Sequence, residues 1–233
     1  MGATGLYVPR PGSAGSADIK REPLAGSLGD FENRFRRGQD ETTQIEHAAL
    51  FDANGEPIVG YQGDRHSVAL DQRVMQNEGG TLSHFHPDSA FGGTLSMQDL
   101  KTFSQSQLGE MRAVSRQGQL YSIKAGQNAD RKGLAKWVKR VEPIAKKNFR
   151  NSYEKARKAA QTPLKSGPHK GMVKLTNPST GKSVYRQPMT NKQAMNYARQ
   201  YSVGAFERMY KKNLAKFGVN YTSTKGGYAR QSF

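Results

Sequence analysis

The sequence predicts an α/β protein in two parts, and three observations carry that expectation. Ala48–Phe51 and Pro57–Tyr61 flank Asp52-Ala53-Asn54-Gly55, the pattern of a β-hairpin in which Asn-Gly supplies positive φ angles. Leu100, Phe103, Leu108 and Met111 recur at roughly helical spacing. The charge is also divided: Arg131 to Phe233 holds 24 Lys/Arg against three acids, whereas residues 1 to 130 hold 12 against 16. Strands and helices therefore come first, and a basic helical region carrying a second hairpin follows.

Residues 1–43 are rich in Gly, Ala, Ser and Pro and show no sustained period, so a flexible N-terminal arm is expected. Phe31 and Phe35, with Arg34, Arg36 and Arg37, make a short amphipathic turn that reads first as a solvated stub and second as an anchor for the arm. Strands begin near Gln44, and Glu46 sits just ahead of the first. Val68 to Gln76 reads as a helix covering the sheet. Gly79-Gly80 ends it, and Thr81 to His86 reads as a strand. His66 reads as a surface residue. Ser96 to about Leu108 forms an amphipathic helix, followed by strands at Met111–Ser115 and Leu120–Ile123.

A polar linker is expected over 124–133, then a basic helical domain over 134–218. Leu134, Trp137, Val138, Val141, Ile144, Phe149 and Tyr153 give it a helical stripe that Pro143 must kink or restart. Trp137 reads as core. A hairpin over 172–186 displays Lys174, Lys182 and Arg186. Thr190 to Gln193 is a capping box, and Ala194, Tyr197, Tyr201, Ala205, Met209, Leu214 and Phe217 mark one face of a long helix ended by Gly218. Lys211, Lys212 and Lys216 lie on that helix. Residues 219–233 read as a basic aromatic tail, in which Tyr221 and Tyr228 suit base stacking beside phosphate contacts.

The chemistry concentrates between Leu82 and Asp99. His84 and His86 alternate around Phe85, so on an extended strand both imidazoles project from one face, a two-ligand metal edge. Ser96 and Asp99 open the next helix, which brings a carboxylate back toward the pair. Two imidazoles and one carboxylate make a catalytic zinc set. Ser96 and Asp99 also have the form of a capping box, which by itself requires nothing beyond starting a helix.

At these residues the chain resembles the JAMM/MPN metalloprotease family, whose pattern is an upstream Glu, then His-x-His, seven residues, and Ser-x-x-Asp. The RadC-like branch, with His-x-His-Pro, looks closest. The resemblance covers about residues 44–123 and implies a JAMM-like mixed sheet with flanking helices. It further implies Zn2+ held by His84, His86 and Asp99, Glu46 as acid/base, and Ser96 as a helper for the developing oxyanion. Nine residues rather than seven separate His86 from Ser96.

The absence of cysteine excludes disulfides and thiolate zinc sites. No apolar run is long enough to span a bilayer and the N-terminus lacks signal-peptide form, so a cytoplasmic or virion-associated protein without a membrane partner is expected. The basic half has the footprint of a partner for nucleic acid, bound without sequence preference, or for an acidic protein surface such as a capsid or portal. Three functions follow as expectations: a zinc-dependent peptide or isopeptide hydrolase fused to a nucleic-acid-binding region; a phage virion or head-morphogenesis protein on a degenerate JAMM-like scaffold; and a toxin or effector module.

Overall fold

The computed structural model describes residues 5–9, 19–36, 44–87, 94–116, 118–177 and 181–224. In chain order its elements are β1 (Gly5–Tyr7), β2 (Lys20–Glu22), α1 (Leu28–Arg36), β3 (His47–Phe51), β4 (Pro57–Gln62), β5 (Ser67–Ala69), α2 (Arg73–Gln76) and β6 (Thr81–His86). They continue with α3 (Met97–Gln105), β7 (Glu110–Ser115), β8 (Leu120–Ala125), α4 (Arg131–Gln161), β9 (Val173–Thr176), β10 (Ser183–Arg186), α5 (Asn191–Leu214) and β11 (Val219–Thr224). The chain is mixed α/β and divides into two units, Met1–Lys139 with Asn213–Ser232, and Arg140–Lys212.

The first unit is built on a seven-stranded mixed sheet in the order β11-β8-β7-β6-β3-β4-β2. The β3–β4 hairpin forms where expected, with a different turn. Asn54 keeps an ordinary negative φ and Gly55 alone is left-handed at 86°. Asp52 sets this geometry, because its Oδ1 accepts the N–H groups of Asn54 and Glu56, each at 2.8 Å. The His strand β6 also has its expected bounds, but it is interior to the sheet, lying antiparallel to β3 and parallel to β7.

Alternation along β3 and β6 sorts side chains onto two faces. Ala49, Phe51, Phe85 and Val114 turn to the face covered by α1, where Phe31 and Phe35 complete one apolar cluster. Phe35 stacks on Phe85 with ring centroids 4.5 Å apart. Beside that cluster, the buried Glu32 accepts from Ser83 Oγ at 3.1 Å and from Arg112 Nη1 at 3.2 Å, which ties α1 to β6 and β7. Ala48 and His84, paired across the strands, turn to the opposite face, toward α3.

Several expectations are corrected here. The N-terminal arm supplies β1, β2 and α1, because Leu6, Phe31 and Phe35 find buried sockets. Residues 37–43 lie outside the described part. The expected helix from Val68 is a strand, since Leu6, Val68 and Leu70 are buried where β5 pairs in parallel with β1; the helix is only the short α2. The linker is consumed at both ends, by β8 and by α4. The start of the tail is an edge strand: Val219 and Tyr221 alternate inward, and β11 pairs with all of β8. Residues 225–233 lie outside the described part.

In the second unit, helix α4 runs unbroken through Pro143, so of the two expected alternatives, a kink or a restart, the restart is excluded. The expected stripe on α4 is interrupted at Ile144, which is 54% exposed, and resumes at Phe149, whose ring meets Phe206 edge-on with centroids 5.4 Å apart. Val173 and Leu175 of the β9–β10 hairpin pack on Ala156, Ala160, Ala194, Tyr197 and Ala198. Tyr197 Oη accepts from Thr176 N at 2.9 Å and donates to Thr176 O at 3.0 Å, fixing the hairpin to α5. The α5 capping box forms through Thr190 and Gln193. Its buried row runs Ala194, Ala198, Ser202, Phe206, Tyr210, Leu214 at a spacing of four, which leaves the expected Tyr201, Ala205 and Met209 half-buried.

Candidate metal centre

Helix α3 begins at Ser96, whose side chain accepts from Asp99 N while the Asp99 side chain accepts from Ser96 N, a complete capping box. The cap also aims Asp99. Its Oδ2 accepts from Ser96 N at 2.6 Å and lies 3.4 Å from His84 Nε2 and 3.7 Å from His86 Nε2. Its Oδ1 accepts the Leu6 backbone N–H at 3.0 Å. The two Nε2 atoms are 2.8 Å apart. His84 and Asp99 are fully buried and His86 nearly so. The sequence therefore encodes a cap and a convergent carboxylate in the same four residues.

The three groups fit a small cation. A tetrahedral zinc with bonds of about 2.05 Å holds its ligand atoms about 3.3 Å apart, and the observed separations of 2.8, 3.4 and 3.7 Å bracket that value. Among the described residues this is the cluster of His, Asp and Glu that could hold a metal ion. His84 Nδ1 is buried without a hydrogen-bond partner among them.

Glu46 precedes β3 and continues the alternation that places Ala48 beside His84. Its backbone is fixed on both sides, donating to Asp64 O at 2.7 Å and accepting from Gly63 N at 2.8 Å. Its carboxyl is buried, and Oε2 has no hydrogen-bond partner among the described residues. Burial, then the negative charges of Asp99 and Asp64, push the Glu46 carboxyl well above the usual carboxylate range. Asp99 goes the other way: burial alone would raise it, but the His84 and His86 imidazoles and the Leu6 N–H hold it below its ordinary value. Two carboxyls with opposed proton affinities lie on one face of one sheet.

The remaining candidates are scattered. Lys174, Lys182, Arg186, Lys211 and Lys212 are exposed in the second unit. Lys216 belongs to the first unit and donates to Asn213 Oδ1 at 3.2 Å. Tyr221 is no stacking platform: it is buried in β11, with its Oη 3.3 Å from Thr94 Oγ1. Tyr228 lies outside the described residues, as does most of the His86–Ser96 loop, residues 88–93.

Three features had not been singled out from the sequence. Leu6 contributes a backbone group, which no residue type announces. His47 is buried on the α1 face, with Nδ1 3.2 Å from Glu22 Oε1, and its position beside Glu46 was the available signal. Tyr185, 38% exposed on β10, stacks on His169 at 3.7 Å beside Lys174, its cross-strand partner. Among the described residues no helix is long and apolar enough to cross a membrane. No family model, curated protein or solved structure matches this chain.

Proposed function

We propose that the first unit is a JAMM-like zinc-dependent hydrolase of peptide or isopeptide bonds. The observation that carries this is the convergence of His84, His86 and Asp99 at 2.8 to 3.7 Å on the sheet face to which Glu46 also belongs. The order of parts supports it as well: a Glu ahead of a hairpin, a His-x-His strand beside that hairpin, and a helix N-terminus returning an Asp. Zinc held there would supply a Lewis acid able to acidify water near neutral pH. Glu46, whose environment favours a held proton, would take up and return a proton at its carboxyl. Ser96 Oγ accepts the Asp99 N–H and keeps its own hydroxyl proton to offer to a developing oxyanion.

The test is elemental analysis beside a hydrolysis assay. Wild type should carry close to one zinc per chain, and His84→Ala and Asp99→Ala should carry none. Glu46→Gln should keep the metal and lose turnover. Absence of zinc from the wild type after metal-supplemented purification would remove the reading and leave Ser96 and Asp99 as a helix cap on a structural scaffold, as in a virion component.

A second reading concerns Arg140–Lys212, where 17 Lys/Arg face three acids. We propose that this unit contacts nucleic acid without sequence preference, through Lys174, Lys182, Arg186, Lys211 and Lys212, with Tyr185 offering a ring to unpaired bases. An acidic protein partner, such as the inner face of a capsid or a portal, is the outcome favoured if no nucleic acid binds at low salt.

A further inference from the structure

The residues flanking a metal centre normally orient its ligands, and a carboxylate ligand needs its second oxygen held. Here that oxygen is held by a segment far away in sequence. Leu6 N donates to Asp99 Oδ1 at 3.0 Å across 93 positions. Thr102, one turn along α3, donates its hydroxyl to Leu6 O at 2.8 Å. Leu6 thus turns both backbone groups to α3, while Tyr7 O accepts from Leu70 N at 2.9 Å on the opposite side. This is the alternation a strand imposes. Leu6 itself is fully buried. β1 is therefore wedged between α3 and β5, and its one α3-facing N–H is spent on the carboxylate.

We propose that β1 is a positioning element of the metal centre: the Leu6 N–H fixes Asp99 Oδ1 so that Oδ2 stays aimed at His84 and His86, and metal affinity depends on the N-terminal strand being docked. This rests on the reading of His84, His86 and Asp99 as ligands. By linkage the dependence is reciprocal, so a metal on Asp99 stabilises the docking of β1 to the same degree. A chain stripped of its first residues, or an event that lifts them, lowers occupancy of the centre without touching a ligand.

Because the Leu6 N–H lies outside the β1–β5 ladder, Leu6→Pro in the full-length chain deletes the donor and leaves the ladder donors in place. Leu6→Ala keeps the donor and loses the packing. Zinc affinity, measured by competition with a chromophoric chelator, should fall about 10- to 100-fold in Leu6→Pro and by much less in Leu6→Ala, which weakens docking but keeps the donor. Amide hydrogen exchange on the wild type gives a second readout free of any folding defect: zinc should slow exchange at Leu6. Equal affinity in wild type and Leu6→Pro, equal losses in the two variants, or unchanged Leu6 exchange on adding zinc would each overturn the proposal while leaving the ligand reading intact. A wild type that takes up no zinc would overturn both.

Discussion

At the scale of single residues, the opposed proton affinities of Glu46 and Asp99 make the most direct predictions. In metal-free protein, burial and the charges of Asp99 and Asp64 favour a proton on folded Glu46 that the unfolded chain releases near the ordinary 4.5. The stability associated with that proton is full below this pH and is lost as pH rises through the folded value. Urea midpoints of chelator-treated wild type should therefore decline from pH 5 to pH 8 relative to Glu46→Gln, which lacks the titrating group. If both chains show the same slope, Glu46 is not held protonated. With zinc supplied, Glu46→Gln should lose about 100-fold or more in turnover at unchanged metal content, which separates a proton carrier from a ligand.

Among elements, Asp71 shows how two strands and a helix are held to one another. It accepts from Arg21 Nε on the β2 edge at 2.9 Å, from Arg73 Nη2 at 2.7 Å and from Tyr61 Oη on β4 at 2.9 Å. Burial works against the charged form, but the Arg73, Arg21 and Tyr61 hydrogen bonds win and lower its pKa from 3.8 to about 2. The sign is opposite to that of Glu46: the contribution is present above pH 3.8 and disappears as pH falls through the folded value. It amounts to about 2 kcal/mol. Acid unfolding curves of wild type and Asp71→Asn should converge below pH 2 and separate by about that amount at neutral pH. Helix α1 gives a second prediction. Phe35→Ala should cost about 3 to 5 kcal/mol, and trypsin should leave residues 19–36 attached to the core, where a free arm would be removed.

Legibility followed what each feature is made of. The hairpin about Gly55, the strand Thr81–His86 and the capped helix at Ser96 were readable because turn chemistry, alternation and capping act within a few residues. The convergence of His84, His86 and Asp99 was readable for the same reason, since two of the side chains share a strand face and the third starts the next helix. Residues 5–9 and 19–36 were not readable, because Leu6, Phe31 and Phe35 are isolated in sequence and acquire their buried partners from β3, β5, β6, β7 and α3. Tyr221 was misread for a related reason: glycines and lysines around it look like a tail, and only pairing with β8 turns its ring inward.

For the molecule as a whole, the positive charge is concentrated in the unit that lacks His84, His86 and Asp99. Full-length protein should bind duplex with log affinity falling against log salt at a slope of about −5 if about six phosphates are neutralised. Replacing Lys174, Lys182 and Arg186 together should flatten that slope, and Tyr185→Ala should weaken single strands more than duplex. Tyr221→Ala should leave both unchanged and lower the melting temperature. Loss of binding in Tyr221→Ala with the melt intact would return that residue to the interface.

The pairing of β11 with β8 sets a timetable for biosynthesis. Residues 120–125 leave the ribosome well before residues 219–224, an interval of roughly 5 to 20 s at common elongation rates. For that interval β8 has an open edge, a template for pairing with another chain, while the whole basic unit is still being made. A nascent chain thus presents the strand and helix that carry His84, His86 and Asp99 early, and the open edge of β8 until residues 219–224 appear. Release before residue 224 leaves a sheet that can be closed only by a neighbour.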